Sequence, residues 1–145
     1  MAAFYTAEAT AYGGRDGQVK SKGDLDLVVH PPQELGGPGD GTNPEELFAC
    51  GYAACFHSAL MFFAARREID VTGSTVTARV GLGPDDSGGM SLSVELHVQL
   101  PGVEEDTARK LVRSAHKGCP YSRATRGNIP VELFVGDEPL VEAAA

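Results

Sequence analysis

Two cysteines in unlike settings are the residues of this chain best suited to chemistry. Cys55 lies within a nearly uncharged helical stretch, and Cys119 stands far along the chain, directly before Pro120. Only the fold can bring them together. A two-cysteine redox cycle needs such a pair, because one thiol attacks an oxidant and the second closes a disulfide. A redox role is therefore the first hypothesis for these thiols.

Each cysteine also has an inert interpretation. Burial in an apolar helix raises the pKa of a thiol, so Cys55 needs a nearby cation in order to react. Arg15, on a glycine-flanked turn, is the best candidate for that cation. Without one, Cys55 is a small buried hydrophobe. Cys119 is either an ordinary cysteine at a helix end or a resolving thiol, which the negative end of the helix dipole would keep neutral.

The third cysteine and the histidines allow other interpretations. Cys50 points about 140° away from Cys55 on a helix, so the two cannot form a disulfide, and we interpret Cys50 as core filler. Metal-ligand spacing is poor and no Cys-x-x-Cys pair is present, so we expect no metal. The chain could also be a Cys–His hydrolase, in which His57 or His116 acts as the base toward Cys55. A non-catalytic dimeric ligand-binding stress protein would need neither reactive cysteine.

Composition narrows the function classes. The 145 residues carry a net charge of −8 with a pI near 4.9, which argues against nucleic acid and anionic membrane surfaces as partners. The N-terminus lacks a signal-peptide pattern, so we expect a cytoplasmic protein with free thiols. The uncharged residues 47–65 approach the length of a membrane span, but their glycine, histidine and alanines favour a buried helix.

The elements that must position these residues follow from turn signals and periodicity. Strands are predicted at 5–11, 18–20 and 25–29, with a glycine-rich hairpin at 13–17. Asn43 is the predicted N-cap of a long helix, with Pro44 at its first position. Alternation predicts a hairpin of strands at 71–82 and 90–100, and a helix at 103–118 precedes a strand at 129–135. The order β-β-β-α-β-β-α-β predicts one mainly antiparallel α+β domain over 1–145, with a short polar tail at 137–145.

The long helix is apolar on every side, so it needs cover on every side. One antiparallel sheet from a chain of this length covers only part of it. A second copy packed alongside supplies the rest, which predicts a homodimer with a large apolar interface.

Together these residues resemble the organic hydroperoxide resistance proteins, the Ohr branch of the OsmC/Ohr superfamily. The similarity covers about 4–135, and the extension Thr125-Arg126-Gly127-Asn128 favours the Ohr branch over its OsmC relatives. The matching blocks are residues 5–7, 13–17, 34–37, 41–45, 51–56, 119–122 and 124–129.

The resemblance implies an intertwined α+β homodimer with antiparallel sheets around a long buried central helix. It implies a cytoplasmic, cofactor-free thiol peroxidase that reduces organic hydroperoxides and is re-reduced by a lipoylated protein or another dithiol. By matching position, Cys55 would be the peroxidatic cysteine and Cys119 the resolving one. Arg15 and Glu45 would form a charged pair at the site.

Two further expectations concern the surroundings of the site. An apolar lining would favour alkyl or fatty-acid hydroperoxides over H₂O₂, although each lining candidate is more often a core residue. Glu45 precedes Cys55 by about 15 Å of helical rise, so we expect a site assembled across the dimer, with Arg15 or Glu45 from the other subunit. The lining candidates are Phe48, Tyr52, Phe56, Leu60, Met61 and Phe62.

Overall fold

The computed structural model describes residues 1–140 as two compact units, Met1–Leu47 and a second that begins at Phe48. The first unit is a three-stranded antiparallel sheet of β1 (Ala9–Tyr12), β2 (Gly17–Ser21) and β3 (Asp26–Val29), in that order. The predicted hairpin between β1 and β2 is confirmed. Gly13 and Gly14 have φ of 77° and 60°, and a Cβ on Gly17 would lie 1.9 Å from the carbonyl oxygen of Tyr12. Only glycine fits this turn.

The end of the first unit fixes the start of the long helix. After a 3-10 turn at Gln33–Leu35, the chain returns to β3, where Thr42 donates its N–H to Val28 O at 2.8 Å. The helix α1 (Pro44–Arg66) then begins. Asn43 Oδ1 accepts the N–H of Glu46 at 2.8 Å, which confirms the predicted N-cap. The first turn of α1 is therefore tied to the sheet of its own unit.

The second unit contains a four-stranded sheet in the order β4 (Thr75–Pro84), β5 (Met90–Gln99), β6 (Val131–Val135) and β7 (Glu138–Leu140). β4 and β5 form the predicted antiparallel hairpin, whereas β5 and β6 run parallel. A parallel pair needs a long crossover, which α2 (Glu105–Gly118) and α3 (Pro120–Thr125) provide.

Two elements of the second unit differ from the prediction. The short helix α3 was not predicted. The polar tail expected at 137–145 is corrected at its start, because Glu138–Leu140 pair with β6 as strand β7. Residues 141–145 lie outside the described residues.

The core of the second unit joins one row of α1 to α2 and the sheet. Since α2 is strongly amphipathic, its apolar stripe meets the sheet side chains and the α1 row (Tyr52, Phe56, Leu60 and Ala64). Within this chain α1 is buried on that row only, and Met61 and Phe62 on another side are 52% and 56% exposed. Cys50 is exposed as well, so its interpretation as core filler is wrong for one chain. The expectation of burial on every side is therefore not met by one chain.

α1 is also long and apolar enough to cross a membrane, a test that the core helix of a soluble protein passes equally. The α+β class is confirmed.

Candidate functional site

The thiols of Cys55 and Cys119 lie side by side in the second unit, with 3.6 Å between their Sγ atoms. Cys55 is on α1 and partly exposed, whereas Cys119 is fully buried between α2 and α3. Cys119 has extended dihedrals (φ −66°, ψ 124°), as the residue before a proline prefers, so the chain bends there. A disulfide would require the two sulfurs to approach by only about 1.5 Å.

The surroundings of Cys55 within its unit oppose a thiolate. Burial is the main cause that raises the pKa of this thiol, and the adjacent Cys119 raises it further through a hydrogen bond and charge. The backbone N–H of Tyr121 acts in the other direction, because it donates to the sulfur and lowers the pKa. The net result is a raised pKa, so a reactive Cys55 needs positive charge in addition to these groups.

The ring of Tyr121, whose N–H meets Cys55, packs against a glycine one turn earlier in α1. A Cβ on Gly51 would lie 2.7 Å from Tyr121 Oη and 3.2 Å from Cε2 and Cζ of its ring. The ring lies against the helix there and completes an aromatic cluster, with its centroid 6.0 Å from that of Phe48 and 5.6 Å from that of Tyr52. Sequence reasoning did not assign Tyr121 to the site. Its position two residues after Cys119 was the available signal.

Arg15 and Glu45 form a bidentate ion pair in the first unit. Arg15 Nη1 donates to Glu45 Oε2 at 3.0 Å and Nη2 donates to Oε1 at 2.7 Å. The side chain of Arg15 is 49% exposed and that of Glu45 is 13% exposed. The hydrogen bonds to Arg15 lower the pKa of the Glu45 carboxyl, and those to Glu45 raise the pKa of the guanidinium. Both residues belong to one chain, and their proximity to a Cys55 thiol stays a prediction.

The histidines named as possible bases bond to serines. His57 Nε2 lies 2.9 Å from Ser74 Oγ, and His116 Nδ1 lies 2.9 Å from Ser122 Oγ. Because Cys55 instead meets a second thiol and a backbone N–H, the geometry favours redox chemistry over a Cys–His hydrolase. Among residues 1–140, no group of three or more His, Cys, Asp or Glu side chains could hold a metal ion.

Comparison with known proteins decides the family. A family model described as OsmC-like protein matches residues 37–134. The organic hydroperoxide resistance protein of Xanthomonas axonopodis pv. citri is 49% identical over 133 residues, which are 90% of this chain and 93% of that one. The chain belongs to the OsmC-like family. Within the family it belongs to the organic hydroperoxide resistance branch, as the resemblance of the cysteine blocks indicated.

Solved structures of this branch share the fold. The organic hydroperoxide resistance protein of Elizabethkingia anophelis has a TM-score of 0.88 and 50% identity, covering 95% of this chain and 100% of its own. OhrB of Bacillus subtilis has a TM-score of 0.84 and 43% identity, covering 92% and 99%. These scores confirm the predicted OsmC/Ohr-like fold.

In this OsmC-like chain the predicted apolar lining divides into core and surface. Tyr52, Phe56 and Leu60 have no exposed surface and fill the core, so their assignment to an open pocket is corrected. Phe48 is partly buried in the aromatic cluster. Phe62 is exposed and lies beside the guanidinium of Arg66. The three core residues recur every fourth position on the inner row of α1, a pattern that itself indicates core.

Proposed function

We propose that this chain is a cysteine-based peroxidase that reduces organic hydroperoxides to alcohols and so protects against peroxide stress. The observation that carries the proposal is the 3.6 Å contact between a partly exposed thiol on α1 and a buried thiol between α2 and α3. Relatives and solved neighbours named for organic hydroperoxide resistance support it.

The reaction has two steps and a reset. The Cys55 thiolate attacks the terminal oxygen of R–O–O–H, the O–O bond breaks, and the alkoxide leaves and takes up a proton to become the alcohol. Cys55 is then a sulfenic acid. Cys119 attacks its sulfur, an S–S bond forms and water leaves. A dithiol returns two electrons and two protons to the pair and becomes a disulfide itself.

Arg15 is the proposed source of the positive charge that Cys55 needs. The groups around Cys55 in its own unit leave the pKa of the thiol raised. A guanidinium held by two hydrogen bonds to Glu45 would favour the thiolate and stabilise charge on the departing alkoxide. We propose that the pair serves the Cys55 thiol of a second copy, at a site assembled across the dimer.

A homodimer is part of the proposal. Between its charged ends at Glu46 and Arg66, the outward face of α1 carries no formal charge and is exposed in one chain, which leaves an apolar surface that a second copy would cover. This face consists of Cys50, Ala54, Ser58, Met61, Phe62 and Ala65. We further propose a cytoplasmic location, no cofactor, alkyl or fatty-acid hydroperoxides as substrates, and a lipoylated protein or another dithiol as the reductant.

Turnover of cumene hydroperoxide with dihydrolipoamide as reductant tests the proposal. Cys55→Ser should abolish turnover, and Arg15→Ala should reduce kcat/KM by about 10²-fold because a charge-stabilising donor is lost. Cys50→Ser is the matched thiol control and should retain wild-type activity. Undiminished activity of Cys55→Ser, or an inactive wild type with both thiols reduced, would contradict the proposal.

A further inference from the structure

A buried row of hydroxyl groups and one imidazole joins α1, α2 and α3. Tyr52 Oη lies 2.8 Å from Ser122 Oγ and 3.1 Å from Thr125 Oγ1, and His116 Nδ1 lies 2.9 Å from Ser122 Oγ. Tyr52 and Ser122 are fully buried, and Thr125 and His116 are each 5% exposed. The mechanism above uses none of these groups.

Counting the available protons fixes the direction of every bond in this row. Thr125 donates its single hydroxyl proton to the carbonyl oxygen of Ser122. Tyr52 must therefore donate to Thr125, which leaves Ser122 to donate to Tyr52 Oη. The proton of Ser122 is then used, so His116 must donate from Nδ1 to Ser122 Oγ. Each hydroxyl donates once and accepts once, and removing any one of them breaks the sequence of bonds.

The row anchors α3, which is too short to hold its position alone. A six-residue helix is unstable without tertiary contacts, so the position of α3 depends on its bonds to α1 and α2. Ser122 and Thr125 lie in its middle and at its end. Arg126, directly after it, donates from Nη2 to His116 O at 2.5 Å. The opposite end of α3 carries the two groups that meet Cys55, which are the thiol of Cys119 and the N–H of Tyr121.

We propose that Tyr52, Ser122 and His116 are positioning residues for the disulfide step, because they hold α3 where Cys119 meets Cys55. This inference rests on the proposed function, in which that disulfide forms. Loss of the Tyr52 hydroxyl would leave the Ser122 hydroxyl proton without its acceptor and Thr125 Oγ1 without its donor. A shift of α3 would relieve this loss, because both groups could then find other partners, but it would separate Cys119 from Cys55. The row therefore sets the effective concentration of Cys119 toward Cys55.

The test measures that effective concentration without any peroxide. In a Cys50→Ser background, the protein is equilibrated in mixtures of reduced and oxidised dithiothreitol, where oxidised dithiothreitol takes two electrons and two protons from the thiols. Alkylation and intact mass then give the disulfide fraction. Tyr52→Phe keeps the ring and removes only the hydroxyl, and Ser122→Ala removes its partner. Tyr12→Phe, at an exposed tyrosine of the first unit, is the control.

We expect the equilibrium constant for the disulfide to fall about tenfold in Tyr52→Phe and in Ser122→Ala, with no change in Tyr12→Phe. The double variant should resemble either single one, because both changes break the same row. A Tyr52→Phe variant with a lower urea midpoint but a wild-type disulfide equilibrium would show a role in stability only and overturn the inference. Additive losses in the double variant would overturn it also.

Failure of this inference and failure of the proposed function look different. A wild type that forms the disulfide in the dithiothreitol mixtures but does not consume cumene hydroperoxide contradicts the peroxidase proposal and leaves the positioning effect measurable. Unchanged disulfide formation in Tyr52→Phe, beside normal peroxide turnover, contradicts the positioning role alone. If Tyr52→Phe does not fold, Ser122→Ala supplies the same comparison.

Discussion

Replacing Gly51 by alanine tests how Tyr121 is held against α1 beside Cys55. The added Cβ would lie 2.7 Å from Tyr121 Oη, so the hydroxyl end of the ring must move by about 0.7 Å to reach the 3.4 Å of ordinary van der Waals contact. Such overpacking costs about 1–2 kcal/mol, toward the low end here because Tyr121 is 38% exposed and its side chain has room to move. Alanine also gains about 1 kcal/mol over glycine within a helix. The net loss of stability should therefore be about 0–1 kcal/mol.

Removing the ring reverses the sign of this effect. In a Tyr121→Ala background the Cβ on residue 51 meets no ring, so Gly51→Ala should stabilise the protein by about 1 kcal/mol. Urea unfolding of the four proteins gives a coupling energy, expected at about 1–2 kcal/mol. An equal effect of Gly51→Ala in both backgrounds would refute the reasoning, because the tyrosine ring would then not rest on the glycine.

Three further predictions concern the charged pair and the thiols. Glu45→Gln should remove the part of the acid-side pH dependence of stability that Glu45 contributes. Arg15 lowers the pKa of Glu45, so the contribution of Glu45, under about 1 kcal/mol, is present above the ordinary value of 4.5 and lost as pH falls through the folded pKa. Urea unfolding from pH 2 to 6 measures this, and a Glu45→Gln curve as steep as that of the control Glu46→Gln would contradict it. Cys119→Ala should lower the pKa of Cys55, because Cys119 raises it. The pH profile of iodoacetamide alkylation measures the shift, and an upward shift would contradict this effect of Cys119 on Cys55. Arg15→Lys keeps the charge but loses the bidentate hydrogen bond to Glu45, so kcat/KM for cumene hydroperoxide should fall about tenfold. Wild-type kinetics would show that the bidentate bond has no role in turnover.

Local signals predicted much of the fold. Asn43 and Pro44 marked the start of α1, and alternation marked the hairpin of β4 and β5, because caps and strand periods are encoded within a few residues. The first strand was placed too early, since β1 begins at Ala9. The helix α3 was missed because six residues are too few to show a helical period.

For the candidate site too, the sequence indicated the residues but not the long-range contacts between them. The importance of Cys55 and Cys119 was suggested by residue type and by resemblance, but their 3.6 Å contact depends on the packing of α1 against the junction of α2 and α3. The hydrogen bond between Tyr52 and Ser122 joins residues 70 positions apart, so no local pattern predicts it. The parallel pairing of β5 with β6 is also a long-range choice that strand periodicity cannot reveal.

Treatment with one equivalent of cumene hydroperoxide, followed by intact mass and peptide mapping, tests most directly whether Cys55 and Cys119 are a redox pair. The wild type should become two hydrogens lighter, with a disulfide linking the peptides of these two cysteines. Cys119→Ser should instead become one oxygen heavier at Cys55, as a trapped sulfenic acid. Both thiols remaining reduced while the peroxide persists would contradict the redox mechanism.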